Sequence, residues 1–284
     1  MTKISAGPAV LEQAKEPLRR LRAGYRSWTA PLRGLPSVLI LGAQRSGTTS
    51  LFNYLVQHPD VLAPLGKESH YFDLRYARGI RWYRGRFPYA RRMRSGALTL
   101  DASPYYLMHP LAPRRAAELL PEARLIALLR HPIDRAFSHY QHAVRDGREP
   151  LSFAEAIATE PERLAGEEER LRSEPDYISY NHRHYSYLRR GVYIEQLRRW
   201  GEHFPRSQLL VIQSELLFRE PAAVTAEVHA FLGLRPYRLE QYEPFLRGGY
   251  NRGIPPELRA ELARQFEPRN RDLYEWLGEE FDWA

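Results

Sequence analysis

Apolar residues in this chain come in two spacings, and their alternation predicts the architecture. Residues 37–41 form a short continuous apolar run with β-branched members, bounded by Pro36 and Gly42, which reads as a buried strand. Residues 50–57 place apolar side chains at helical spacing, with hydroxyls positioned to cap the helix start. Gly42 to Thr49, between them, reads as a tight turn. Further strands are predicted at 97–101, 123–129 and 207–212, and further helices at 109–120, after Pro132, from Gly191 toward Trp200, and at 221–232 up to Gly233. Strand and helix alternating in this way predict a three-layer α/β, P-loop-like fold, with a central parallel sheet of about four to five strands flanked by helices.

Two stretches stand outside that rhythm. Residues 1–35 read as a basic N-terminal arm, with Leu11, Leu18 and Leu21 on one stripe of a helix over 9–23 and Arg19, Arg20, Arg22, Arg26 and Arg33 making it cationic. A solvated arm packing on the domain is expected, with a membrane-surface helix as the alternative. Residues 36–284 are expected to form a single domain. Within it, 145–176 is charge-rich, with Glu167, Glu168 and Glu169 in a row, and reads as an exposed helical excursion with a mobile loop.

The loop after the first strand carries the chemistry. Strand, glycine-bounded loop and helix make a phosphate cradle, because loop N–H groups and the positive end of the helix dipole converge on an anion. Gly42 and Gly47 keep the spacing of a Walker A loop, but Thr48 stands where its lysine would be. The loop's cation is Arg45, and Ser46, Thr48 and Thr49 add hydroxyl donors. Such a loop suits a shorter anion, such as a 5′-phosphosulfate. Downstream, Lys67, Glu68, His70, Tyr71, Phe72 and Asp73 crowd one short segment, where Glu68 and His70 are the first candidates for a general base. Arg130 ends a strand and Ser138 follows about two helical turns later, so the pair can grip one phosphate from two sides. His182 and His184 have metal-like proximity but no evident further ligands, so cleft lining or solvent is the better reading.

Gly-Ala-Gln-Arg-Ser-Gly-Thr-Thr-Ser-Leu at 42–51 resembles the 5′-phosphosulfate loop of sulfotransferases that use 3′-phosphoadenosine 5′-phosphosulfate (PAPS), in particular the heparan sulfate N- and O-sulfotransferase branch and its bacterial relatives. The segment 67–73 and the pattern Arg-x-Pro-x-x-Arg-x-x-Ser from Arg130 to Ser138 are similar to two further motifs of that family. The resemblance spans 36–283. It implies donor binding by Gly42, Gln44, Arg45, Ser46, Gly47, Thr48, Thr49 and Ser50, with Arg45 where the family has lysine. It also implies a 3′-phosphate site at Arg130 and Ser138, closed by Arg247, Gly248, Tyr250 and Asn251. Glu68 matches the catalytic glutamate, and His70 and Asp73 match residues of the acceptor cleft. Ala102 stands where some relatives have a catalytic lysine, a role left to Lys67 or an arginine. The family also implies an amphipathic helix over 79–88 and final helices with a closing Gly-x-x-Phe-x-Trp at 278–283. The implied reaction is in-line sulfuryl transfer from PAPS to a hydroxyl or amine, leaving 3′,5′-adenosine bisphosphate and needing no metal, with a saccharide or glycoconjugate as acceptor.

Composition adds three points. The net charge of +8 suggests an anionic partner; a nucleotide donor plus an acidic acceptor accounts for it, and no nucleic-acid partner is expected. The chain has no cysteine, which excludes disulfides and thiolate chemistry and agrees with a cytoplasmic home. No apolar run is long enough to span a bilayer. The rival readings are a P-loop nucleotide phosphotransferase and a non-catalytic nucleotide- or nucleic-acid-binding protein.

Overall fold

In the computed structural model, which describes residues 21–93, 96–243 and 253–283, four parallel strands form one sheet in the order β2-β1-β3-β4. The strands are β1 (Val38–Gly42), β2 (Leu100–Ala102), β3 (Arg124–Leu129) and β4 (Leu209–Gln213). Leu39 pairs with Asp101 on one side and Leu125 on the other, and Leu125 pairs in turn with Leu209. Parallel neighbours require crossovers, and helices provide them. Ahead of β1, residues 21–28 form a helix, α1. α2 (Thr48–Leu55) and α3 (Gly79–Arg84) lie between β1 and β2, and α4 (Ala112–Leu119) between β2 and β3. From β3 the chain passes through α5 (Pro132–Arg145), α6 (Phe153–Ala158), α7 (Glu160–Leu164), α8 (Glu167–Ser173), α9 (Tyr180–His184) and α10 (Tyr193–Gly201) before β4. α11 (Ser214–Arg219), α12 (Pro221–Leu232) and α13 (Pro256–Leu277) follow.

The period-two alternation of the strands divides the core. Leu39, Leu41, Leu125, Leu129 and Val211 face Ile194, Leu197 and Trp200 of α10. Val38, Ile40, Ile126, Leu128 and Ile212 face Leu51 and Leu55 of α2 and Val224 and Val228 of α12. Burying each such side chain contributes about 1.5–3 kcal/mol.

Four expectations are corrected. The hydroxyl cap on α2 does not form: the N-cap is Gly47, at φ 85° with no side-chain cap bond. The first helical N–H groups, which have no partner within a helix, are thereby left for another acceptor. β2 begins at Leu100 instead of Ala97, because Leu98 is paired elsewhere: its N–H donates to Asp60 O (2.9 Å) and its carbonyl accepts from Leu62 (2.7 Å). The region 145–176 is helical and largely exposed, as expected, but it is anchored by buried residues instead of forming a loose loop. Phe153, Ala156 and Ile157 join Phe137, Tyr187 and Phe266 in a third buried cluster. A capping box between Ser152 and Glu155 starts α6, and the buried Glu149 is held by Arg163 and by Tyr187 Oη (2.9 Å). The acidic run 167–169 is not merely solvated, since Glu167 accepts from Tyr177 Oη at 2.7 Å. α3 also ends at Arg84, earlier than the helix expected over 79–88.

Candidate active site

β1 delivers its loop to the carboxyl edge of the sheet, where open α/β folds bind ligands. A side chain at Gly42 would lie 2.8 Å from Pro104 O, so glycine is required for that approach. Arg45 adopts a left-handed backbone (φ 73°), uncommon for a non-glycine residue. Its Nε donates to Ser138 Oγ of α5 (3.0 Å), and Arg130 Nη1 donates to its carbonyl (3.3 Å). Tyr193 of α10 holds the Arg130 carbonyl (2.8 Å), and Ser214 holds that of Ser46 (3.0 Å). Two motifs 93 residues apart are thus joined through one guanidinium.

The second cluster is tied to β2. The buried Asp101 carboxylate accepts from the hydroxyls of Ser69 (2.5 Å), Tyr106 (2.8 Å), Tyr83 (3.0 Å) and Ser103 (3.2 Å). Glu68 N donates to Ala102 O (3.0 Å) and His70 N to Ser103 Oγ (3.0 Å). This frame holds Glu68 (φ 62°) and His70 (φ 52°) in left-handed conformations that would otherwise cost energy. The His70 ring lies between two carboxylates, Asp73 at 2.9 Å and Glu68 at 3.4 Å, and Lys67 Nζ meets Glu68 at 2.8 Å. Burial alone would lower the His70 pKa, but hydrogen bonds with Asp73 and Glu68 overcome it and raise it to about 9. The hydrogen bond from His70 is the main reason that Glu68 falls to about 2; burial opposes this and Lys67 adds to it. At neutral pH the segment holds an imidazolium and an ionised Glu68.

Both clusters open on one cleft of about 920 Å³. Of the sequence candidates, Gln44, Arg45, Gly47, Thr48, Thr49, Lys67, Glu68, His70, Arg130 and Ser138 line it. Gly42, Ser46 and Ser50 are buried and do not. Arg247, Gly248, Tyr250 and Asn251 lie outside the described residues, as does most of the N-terminal arm. Among the described residues no group of three or more His, Cys, Asp and Glu is placed to hold a metal. His184 lines the cleft, whereas His182 is buried with Nδ1 on Tyr105 Oη at 2.7 Å.

Sequence reasoning missed part of the lining. Arg190, which the sequence did not single out, is buried, donates to Gln44 Oε1, and lies over the Tyr105 ring. Burial, with Arg135 adding, lowers its pKa to about 9. Its turn is held by the buried Glu160, which accepts from Leu188 N (2.7 Å) and Arg189 N (2.8 Å). Burial pushes that carboxyl up to about 7, with the two N–H bonds opposing. Nothing in the sequence separates Arg190 from Arg189; the signal is Gly191, where a side chain would lie 3.1 Å from Phe266 and Pro132. Arg148, Arg183 and Glu215 were also missed. Arg148 donates to His184 Nδ1 (2.9 Å) and His142 Nδ1 (3.2 Å). Glu215 accepts from His131 N (2.9 Å) and from Trp283 Nε1 (3.2 Å), so the tail is held by hydrogen bonds as well as packing.

Residues 35–245 match the family described as the sulfotransferase domain. Heparan sulfate glucosamine 3-O-sulfotransferase 6 of Mus musculus is 29% identical over 97% of this chain and 82% of its own length. The human bifunctional heparan sulfate N-deacetylase/N-sulfotransferase 3 is 37% identical over 72% of this chain, which spans 23% of that longer protein. Among solved structures, a sulfotransferase from Alicyclobacillus acidocaldarius superposes with a TM-score of 0.65 at 32% identity, covering 88% of this chain and 99% of that one.

Proposed function

The chain belongs to the sulfotransferase family, and from that premise we propose that it moves the sulfuryl group of PAPS onto a hydroxyl or amine of a glycan or glycoconjugate. The observation that carries this reading is the contact of Arg45 with Ser138, which joins the two phosphate motifs in the same cleft as Glu68. The donor set fits the nucleotide: a cation, two threonine hydroxyls and the first N–H groups of α2 suit a 5′-phosphosulfate, and Arg130 with Ser138 suits a 3′-phosphate. The family assignment removes the phosphotransferase and non-catalytic readings.

In the proposed step, the acceptor oxygen or nitrogen forms its bond to sulfur as the bond from sulfur to the 5′-phosphate oxygen breaks. Arg45 and the loop N–H groups stabilise charge on the departing phosphate. Glu68 receives the acceptor's proton. A carboxylate held near pKa 2 is a weak base for a free hydroxyl. It suffices late in the transfer, because a hydroxyl already bonding to the sulfuryl group is strongly acidic. The imidazolium of His70 keeps Glu68 ionised and aimed. The names of the heparan sulfate relatives support a glycan acceptor, and Arg148, Arg183 and Arg190, beyond the donor motifs, suit one that is itself anionic.

Calorimetric titration of 3′,5′-adenosine bisphosphate against 5′-AMP tests the donor site, followed by transfer of labelled sulfate from PAPS to glycan acceptors. The bisphosphate should bind about 10–100-fold tighter, as expected for charge-assisted hydrogen bonds worth about 1.5–3 kcal/mol. Arg130→Ala should erase that preference. Equal affinity for both nucleotides in the wild type would sink the 3′-phosphate assignment.

A further inference from the structure

α1 turns its large side chains the wrong way for a helix packed on a domain. Its inward contacts end in small residues, Thr29 (3% exposed) and Ala30 (0%). Leu21 (71%), Tyr25 (55%) and Trp28 (78%) face out at spacings of four and three residues, so they form one stripe, and Leu32 (63%), in the 3₁₀ turn Ala30–Leu32 that follows α1, is exposed as well. The stripe is bordered by cations. Arg33 lies over the Tyr89 ring at 4.6 Å and Arg91 at 5.5 Å, and Tyr89 Oη meets Tyr25 Oη at 2.6 Å. Arg26 packs beside Gly85 of the segment after α3. The sequence has no Asp or Glu from 17 to 59 or from 74 to 100, the two stretches that build this face. None of Arg22, Arg26, Arg33 and Arg91 forms an ion pair with a described carboxylate.

We propose that this face, the stripe of Leu21, Tyr25 and Trp28 together with Leu32 and the border of arginines, docks the protein onto an anionic lipid bilayer. Apolar and indole side chains that enter the headgroup boundary, ringed by arginines that meet lipid phosphates, are the chemistry of a peripheral membrane surface. Charge decides the occupant. A second copy would set arginine against arginine. A nucleic acid would satisfy the arginines but leave Leu21 and Leu32 in water. No described helix is long and apolar enough to cross a membrane. The orientation leaves the cleft usable: the chain runs from the stripe into the start of β1, and the cleft opens where β1 ends.

The test is sedimentation of the full chain with vesicles of phosphatidylcholine alone and of phosphatidylcholine with 30% phosphatidylglycerol. Partitioning onto the anionic vesicles should be at least about tenfold stronger and should weaken as salt rises. Trp28→Ala/Leu32→Ala should lower it at least about fivefold. Both positions are exposed, so the variant's thermal midpoint and its shift with adenosine bisphosphate should match the wild type. No partitioning at low salt overturns the proposal, as does partitioning that the double variant leaves intact. A dimer that the double variant converts to monomer overturns it in favour of self-association. Loss of DNA or RNA binding in that variant, without vesicle binding, overturns it in favour of nucleic acid.

Discussion

The two walls of the cleft are built on different principles. One consists of loops at the ends of β1 and β3, carrying Gln44 to Thr49 and Arg130. There the backbone dictates position: glycines at 42 and 47 permit the turn, and a buried strand fixes where each loop begins. The other wall comes from the region between α5 and α10, carrying Arg148, Arg183, His184 and Arg190. There position is set by long-range polar contacts, such as Glu160 beneath the Arg190 turn and Arg148 between two imidazoles. Under the proposed function, the first wall would hold the donor and the second the acceptor. Glu68 and His70 stand between them, attached to β2 but stretched into the cleft.

Substitutions can separate these roles. Glu68→Gln should have the largest effect, lowering kcat about 10²–10⁴-fold while adenosine bisphosphate affinity stays within about twofold; an unchanged kcat removes Glu68 from the chemistry. Asp101→Ala should come next. It leaves several buried hydroxyls without their acceptor, costing about 3 kcal/mol of stability in denaturant titration, and it releases the strained backbone at Glu68 and His70, so kcat should also fall. Wild-type stability would mean that the frame is not what holds the segment. Arg148→Ala should be milder, raising acceptor KM about tenfold, the equivalent of one charge-assisted hydrogen bond. Donor affinity should not move, and a selective loss of donor binding would collapse the distinction between the walls.

A further expected effect concerns stability as a function of pH and leaves the cleft chemistry aside. Burial raises Glu160 to about 7, so between its ordinary value near 4.5 and 7 the folded state holds a proton that the unfolded chain has lost. Its contribution to stability is therefore present at low pH and lost as pH rises through that window, by up to about 3 kcal/mol. Glu160→Gln should flatten stability across this range, measured by denaturant midpoint, and an unchanged slope assigns the dependence elsewhere. His70 has the same sign at higher pH: its pKa is raised, so its contribution is fully present below about 6.5 and is lost progressively as pH rises from there through about 9.

The sheet and the position of the loop after β1 were legible because each rests on a local rule. Apolar runs bounded by proline and glycine gave strands, and β3 was read to within one residue. Glycine spacing and an arginine among hydroxyls gave the loop. The excursion was not legible, because its charged residues look alike in sequence: Glu160 and Glu167 are anchors, whereas Glu162 and Glu169 have no such partners among the described hydrogen bonds. The α2 cap was misread for a related reason. Hydroxyls at a helix start predict capping only when no other geometry claims them, and the left-handed Gly47 does.

The sequence by itself determined the alternation of strand and helix, the glycine-bounded loop after β1, and the presence there of residue types that suit an anion, since these depend on spacing within a few turns of chain. Tertiary structure decided which of many arginines enter the cleft, which glutamate is a buried anchor, and how Glu68 comes to be ionised beside an imidazolium. Those outcomes depend on burial and on partners tens of residues away, and a charge has no fixed role until its neighbours and its solvent are set.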